Sequence, residues 1–326
     1  MSRLRETRHE IRDARAFGRV AVMLGGSSSE RQVSLETGNA VLAALCSRGV
    51  DAHAWDPAER RLKELAGAGF DRVWIALHGP GGEDGTLQGA LEWLGVAYTG
   101  SGVLASALAM DKIRSKKLFA AAGIATPEFR VIESTADAAS AAGELGFPLV
   151  LKPAGEGSSV GMTKVQGESE LATAAALALG YGGLALAEPW IEGAEITVGV
   201  LQGAALPSIR IETPRVFYDY EAKYLVDSTR YFCPGSDDAA AERRYGDAAL
   251  AAFAELGCSG WGRVDFMVDR AGTPWALEVN TIPGMTGHSL VPMAAKAAGM
   301  DFAELCWRIL ETSMPSAGPD VRAKDA

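Results

Sequence analysis

Over roughly the first 100 residues, short apolar runs alternate with helical patterns, a rhythm that admits few folds. Strands that are apolar on both faces need cover on both sides, which parallel pairing with crossover helices supplies. GRVAVMLGG (residues 18–26) reads as a buried strand ending in glycines. Residues 34–48 read as a helix with apolar Leu35, Val41, Leu42 and Leu45. FDRVWIALHG (70–79) is another buried strand, LQGALEWLG (87–95) a helix with a glycine stop, and VAYTG (96–100) a strand.

A long helix is predicted over residues 103–122, closed by Gly123. The rhythm then changes. Strand-like FRVI, a helix, FPLVLKP and a glycine-rich loop suggest a small α+β unit over 101–187. ITVGVL, PSIRI, a long polar-aromatic loop, a helix ending near Gly257, the strand pair WGRVDFMVD and PWALEVN, and a last helix over about 302–310 follow in 188–326. A chain of 326 residues exceeds most single cores, so two or three domains are expected. Residues 1–17 read as a frayed, solvated extension without the apolar stretch of a secretory signal, and the tail after Ser313 as loose.

Charge and composition exclude several classes. The net charge of −10 argues against a nucleic-acid surface, which carries a basic excess. Cys46, Cys233, Cys258 and Cys306 form no CxxC pair and lie far from the histidines, so neither a zinc site nor a disulfide framework is expected, and a reducing cytoplasm suits them. The longest uncharged stretch, residues 171–187, is shorter than the ~20 residues of a membrane helix and is broken by Gly180, Gly182 and Gly183. It reads as a helix, a glycine turn and a strand, so no membrane partner is expected.

Seven segments bear on the chemistry. In FPLVLKPAGEGSSVGM (147–162) a strand delivers Lys152, followed by Gly155, Gly157 and Gly161 around Ser158 and Ser159. Glycines let backbone N–H groups approach phosphate oxygens, and serines and a lysine add donors and charge; an ordinary surface turn would look similar. In GWGRVDFMVDRAGTPWALEVNTIPGM (260–285), Arg263 and Asp265 share a strand face, as do Glu278 and Asn280 on the next strand. The DRAG turn predicts a hairpin with those four on one surface and Val264, Phe266, Leu277 and Val279 on the other. Magnesium favours such oxygen ligands, though an exposed cross-strand charge ladder has the same pattern. AEPWIEGAEITV (187–198) places Glu188 and Glu195 about a turn, where they can accept from an adenine amino group or ribose hydroxyls, or simply be solvated. GGSSSERQVS (25–34), with Glu30, and HGPGGEDGT (78–86), with His78, follow strands, where open α/β sheets bind ligands. Helix capping and a hydrogen-bonded core histidine are the plainer alternatives there. MDKIRSKK (110–117) is a basic stripe inside the predicted long helix, a pattern usually just solvated, and the loop over 217–234 has the composition of a lid.

Taken in this order, the segments resemble the D-alanine–D-alanine ligase family from about residue 20 to 302. The resemblance implies an α/β, ATP-grasp fold: an N-terminal Rossmann-like parallel-sheet domain (18–100) and two α+β domains (101–187 and 188–326) sandwiching ATP. It implies a cytoplasmic homodimer whose partners are D-alanine and ATP. Glu30 resembles the anchor of the first D-alanine's ammonium, with His78 nearby. Lys112 and Lys152 resemble the ATP phosphate ligands, and Ser158 and Ser159 the serine pair of the flexible loop. Glu188 and Glu195 correspond to the adenine and ribose acceptors, with Trp190 and Ile191 between them. Lys223 and Tyr224 resemble the lid pair, Tyr224 hydrogen-bonding towards Glu30 and Ser158. Asp265, Glu278 and Asn280 resemble the ligands of two magnesium ions, with manganese as a substitute. Arg263 and the Gly284 N–H resemble the oxyanion stabilisers, and Ser289 and Leu290 the receivers of the second D-alanine's carboxylate. Ile282 and Gly287 stand where family members vary.

The resemblance implies an ADP-forming ligase making D-alanyl-D-alanine through a D-alanyl phosphate, for peptidoglycan precursors. GxGxxA at Gly100, Gly102 and Ala105 raises a dinucleotide dehydrogenase as a rival, but Glu128 precedes its strand instead of ending one. A non-catalytic ATP-grasp module would lack a metal ligand, and none is lost. A ligase using another acceptor, such as D-lactate, is the nearer alternative.

Overall fold

β1 (Arg19–Met23) buries four of its five residues and so demands neighbours on both faces. In the computed structural model, which describes residues 11–155, 157, 159–214, 229–287 and 289–315, β1 lies between β2 (Asp51–Trp55) and β3 (Arg72–Ile75), and β3 pairs with β4 (Ala97–Tyr98). All three pairings are parallel, in the order β2-β1-β3-β4. α1 (Arg31–Ser47) and α2 (Thr86–Leu94) pack into the core of this sheet through Val41, Leu45, Leu87 and Leu91. β2, DAHAW, is half-exposed and escaped the sequence reading because it lacks a continuous apolar run.

The segment before Gly18 requires a correction. Residues 11–17 are not frayed: Ala14–Phe17 form a 3-10 turn, and Phe17 is fully buried against Trp307, with ring centroids 4.9 Å apart. Residues 1–10 lie outside the described residues. The predicted helix over 103–122 also divides in two, α3 (Val103–Met110) and α4 (Lys112–Ala121). Asp111 adopts an extended conformation between them, and its carboxylate caps α4 by accepting from the Arg114 N–H at 2.9 Å.

β5 (Arg130–Ile132), α5 (Thr135–Leu145), β6 (Leu149–Pro153), β7 (Thr163–Val165), α6 (Glu168–Leu179) and β8 (Ala185–Pro189) follow. Their antiparallel sheet has the order β5-β8-β6-β7. Ser134 and Asp137 form a reciprocal capping box that starts α5. Alanines on α5 (Ala138, Ala141, Ala142) and α6 (Ala174, Ala175, Ala178) fill the core, so the two helices sit close together. The uncharged stretch 171–187 is thus helix, turn and strand, as expected.

The last part contains β9 (Gly193–Leu201), β10 (Ala204–Ala205), β11 (Ile209–Glu212), β12 (Arg230–Phe232), α7 (Ala239–Glu255), β13 (Trp261–Asp269), β14 (Pro274–Asn280), α8 (Leu290–Ala297) and α9 (Phe302–Glu311). The antiparallel order is β12-β11-β9-β13-β14, with β10 beside β9. α9 leaves this sheet and joins the N-terminal core through Leu305, Cys306, Ile309 and Leu310.

The β13–β14 hairpin forms as expected, but one residue departs from strict alternation. Asp265 pairs with Glu278 while Phe266 pairs with Ala276, so Leu277 occupies a β-bulge. Leu277 therefore does not join Val264, Phe266 and Val279 in the core. It lines the cleft beside Met267 and Glu278, and Ala276 takes the buried position.

Candidate active site

Two adjoining clefts open between the sheets, one of about 510 Å³ and one of about 250 Å³. Lys112, Arg263, Glu278 and Leu290 border both. The larger takes in Lys152 at the end of β6, Ser159, Glu188, Trp190 and Ile191 after β8, Glu195 on β9, and Asp265. The smaller takes in Glu30, His78, Asn280, Gly284 and Ser289. Every described residue to which the resemblance gave a binding or catalytic role thus borders one cleft or the other. Ser158, Lys223 and Tyr224 lie outside the described residues, as does most of the expected lid loop.

The shared wall is built on β13 and β14. Arg263 grips Asp265 with two parallel hydrogen bonds, Nε to Oδ1 and Nη2 to Oδ2, both 2.8 Å. Thr197 Oγ1 donates to Asp265 Oδ1 at 2.5 Å, and Asn280 Nδ2 to Oδ2 at 3.0 Å. Lys112 Nζ lies 3.1 Å from Glu278 Oε2. The hairpin surface is a coupled set of charges, not a solvated ladder. Among the described residues no three His, Cys, Asp or Glu side chains cluster to hold a metal by themselves. Two carboxylates facing each other across the ladder, with an amide beside them, nevertheless suit magnesium, which commonly takes one or two carboxylates and completes its shell with phosphate and water oxygens.

The larger cleft is lined by paired charges and an aromatic turn. Lys152 donates to Glu188 Oε2 at 2.9 Å, and Lys116 Nζ lies 3.2 Å from Oε1. Burial works to raise the Glu188 carboxyl, but Lys152 and Lys116 outweigh it and hold it below the ordinary carboxylate range. Lys164 sits over the Trp190 ring, 3.9 Å from its centroid, and steadies the turn after β8. Beyond Lys152 the chain turns back sharply. Gly161 has φ +69°, and a Cβ there would come within 2.8 Å of Pro153 and Tyr181, so the return requires glycine.

The smaller cleft is set by the N-terminal sheet. Glu30 precedes α1, and His78 follows β3. His78 is buried, with Nε2 3.2 Å from Thr37 Oγ1. Burial pulls its pKa down to about 4, with Arg263 adding to the effect and a backbone hydrogen bond with Ile282 opposing it, so the ring is neutral at pH 7. It is both a hydrogen-bonded core histidine and a cleft wall. Glu83, deep-set though partly open, accepts from the Gly79 N–H at 2.7 Å. Burial and then repulsion from Glu30 push its carboxyl up to about 8. With Glu83 largely neutral, Glu30 can serve as the single counter-charge for one ammonium. Ser289 precedes α8 and its Oγ accepts from the Thr286 N–H at 2.9 Å.

Sequence reasoning missed Lys116, Glu83 and Leu277. Lys116 carried a signal: it stands three residues from Ile113 and three from Phe119, on the buried face of α4. The solvated stripe expected over 110–117 is therefore corrected at Lys116, which is 0% exposed. Glu83 lay inside a quoted motif without distinction, and Leu277 carried no signal, since a bulge depends on the partner strand.

Residues 118–311 match the family described as D-ala D-ala ligase C-terminus, and residues 51–101 match D-ala D-ala ligase N-terminus. The chain belongs to the D-alanine–D-alanine ligase family. It is 57% identical over 297 residues to the D-alanine–D-alanine ligase of Alkalilimnicola ehrlichii, covering 91% of this chain and 95% of that one. The crystal structure of D-alanine–D-alanine ligase from Bacillus anthracis superposes with a TM-score of 0.81 at 39% identity, covering 90% of this chain and 97% of that one. A structure of D-alanine–D-alanine ligase from the same organism complexed with ATP gives 0.79 at 36% identity, with the same coverage. The architecture is the α/β, ATP-grasp fold of these ligases, a parallel sheet followed by two antiparallel ones.

Proposed function

We propose that the protein joins two D-alanines into D-alanyl-D-alanine at the expense of ATP, supplying peptidoglycan precursors. The observation that carries this reading is the shared wall: Lys112, Arg263 and Glu278 border both the nucleotide-sized cleft and the small cleft that Glu30 lines. A phosphoryl group held there lies next to a small ammonium-bearing acid. We further propose a cytoplasmic homodimer, with units over 18–100, 101–187 and 188–326. No described helix is long and apolar enough to cross a membrane.

In this reading Glu30 holds the ammonium of the first D-alanine, with neutral His78 beside it. A carboxylate oxygen of that D-alanine bonds to the γ-phosphorus, the bond to the β–γ bridging oxygen breaks, and ADP leaves. Lys112 and Lys152, with Ser158 and Ser159 of the glycine loop, offset charge on the transferring group, so catalysis is positioning and electrostatics. Glu188, Glu195, Trp190 and Ile191 hold the adenosine. Asp265, Glu278 and Asn280 would hold two magnesium ions, which when bound neutralise phosphate charge. The neutral amine of the second D-alanine then attacks the acyl carbon, losing a proton as inorganic phosphate departs. Arg263 and the Gly284 N–H stabilise the oxyanion, and Ser289 and Leu290 receive the second carboxylate. Lys223 and Tyr224 close the site in this reading, since an acyl phosphate must be kept from water.

The test is phosphate release from ATP and magnesium with D-alanine, L-alanine, or D-alanine plus D-lactate. Release with D-alanine alone, accompanied by the dipeptide, is expected. Release only when D-lactate is added would instead identify a depsipeptide-forming ligase.

A further inference from the structure

Lys116 has no part in the chemistry above, yet it is the most deeply buried cation near the site, with 0% of its surface exposed. Burying an ammonium is costly unless the charge is paired and hydrogen-bonded. Lys116 Nζ lies 3.2 Å from Glu188 Oε1, donates to Thr126 Oγ1 at 2.7 Å, and sits 5.5 Å from the centroid of the Phe129 ring. Thr126 in turn donates to the carbonyl of Ala276 on β14 at 2.8 Å. The lysine is therefore moored from several sides.

Glu188 has a second lysine, and the two differ. Lys152 Nζ lies 2.9 Å from each carboxylate oxygen, and its side chain faces the nucleotide cleft. Lys116 borders neither cleft. Among the described residues, Glu188 Oε1 lies wholly inside with both ammonium groups at ion-pair distance and no well-aligned hydrogen bond, whereas Oε2 accepts from Lys152, so a turn of Lys152 towards a phosphate frees Oε2 for another donor. When Lys152 turns to a phosphate, Glu188 is left with one counter-charge.

We propose that Lys116 is a positioning residue for base selection: it keeps Glu188 ionised after Lys152 turns to the phosphates, so that the carboxylate accepts the amino group of adenine and repels a 6-oxo purine. The proposal rests on the nucleotide-binding part of the ligase reading. A buried carboxylate without a counter-charge takes up a proton, and the protonated form donates to an oxo group as readily as it accepts from an amine. Among the described residues, the charged groups facing Glu188 are Lys152 from β6 and Lys116 from α4, and those facing Lys116 are Glu188 and Lys152. Thr126 and Phe129 are uncharged. Burial pulls Lys116 down to about 8, with Glu188 opposing and Lys152 adding repulsion that is relieved once Lys152 moves.

The experiment compares dissociation constants of ADP and IDP, which differ only at the base, for the full chain and its Lys116→Met, Lys116→Arg, Glu188→Gln and Lys116→Met/Glu188→Gln variants. The wild type should prefer ADP. In Lys116→Met the preference should fall about tenfold near pH 7, the equivalent of one pKa unit, and recover towards pH 9, where Glu188 ionises unaided. Lys116→Arg should keep the preference. Glu188→Gln should lose it at every pH, and adding Lys116→Met should change nothing further. If Lys116→Met alone does not fold, Lys116→Gln, which removes the charge but keeps a donor for Thr126 and Glu188, takes its place in the same comparison. A folded Lys116→Met with wild-type preference overturns the proposal, as does a loss that ignores pH, a further loss in the double variant, or a wild type indifferent to the base. Because the readout needs no D-alanine, a wild type that releases no phosphate yet prefers ADP overturns the ligase reading, and a pH-dependent loss of that preference in Lys116→Met still supports Lys116.

Discussion

Charge on single side chains separates the roles in this site. Glu278 faces Asp265 across the ladder and receives Lys112 at 3.1 Å. Glu278→Gln removes the charge with almost no change in volume. Turnover should fall at least ~100-fold, about 3 kcal/mol of transition-state stabilisation, while thermal unfolding stays near wild type. Near-normal turnover at saturating magnesium in a folded variant would remove Glu278 from the metal set. Glu83 supplies a pH test. Its carboxyl is raised from 4.5 to about 8, so folding favours the protonated form. The associated stability is complete below the unfolded value and is lost as pH rises through the folded value, a window from about 4.5 to 8. Urea unfolding across that window should show wild type weakening relative to Glu83→Gln by roughly 1–3 kcal/mol. Parallel curves for the two proteins would rule out a proton-bearing Glu83.

At the scale of elements, the bulge on β14 adds an apolar residue to the cleft wall. With Leu277 inserted, Glu278 and Asn280 face the cleft together with Asp265, while Ala276 and Val279 stay in the core. Deleting Leu277 would join Ala276 directly to Glu278 and restore strict alternation, with Ala276 still opposite Phe266 in the core and Glu278 still opposite Asp265 at the cleft. The expected result is a folded variant that keeps both carboxylates paired but loses the local twist of the bulge and the Leu277 side chain from the cleft wall. Leu277→Ala should keep the bulge and mainly raise KM for ATP by a few-fold, about 1 kcal/mol of lost apolar contact. A deletion variant that unfolds, or that loses the Asp265–Glu278 pairing, would show that the ladder depends on the extra residue.

Across the whole molecule, the two ends of the chain close on one core. Phe17 packs edge-on against Trp307, Arg72 donates to the carbonyls of Phe17 and Ser313 at 2.6 and 3.1 Å, and the Ile11 N–H reaches Glu311 at 3.1 Å. α9 thereby belongs to the N-terminal sheet although the chain crosses two other sheets first. Phe17→Ala should cost about 3–5 kcal/mol, visible in denaturant unfolding, with KM for ATP within about two-fold because the cleft is remote from it. A variant as stable as wild type would mean that the clasp carries no load.

The placing of the candidate residues was legible in the sequence because it depends on local order. A strand ending in a lysine, a run of glycines and serines, and a carboxylate two residues from an arginine or an amide on one strand are patterns of neighbouring residues, and in the described residues each lies at a cleft. The parallel rhythm of the first sheet and the β13–β14 hairpin were legible for the same reason. What only the tertiary structure decided depends on partners far along the chain. The side of β14 that Leu277 occupies is set by register against β13. The burial of Lys116 is set by Glu188, 72 residues later, and the anchoring of residues 11–17 by α9, almost 300 residues away. A lysine on a helix reads the same whether water or a carboxylate waits opposite it; desolvation separates the two cases, and only the folded chain decides which groups lose their water.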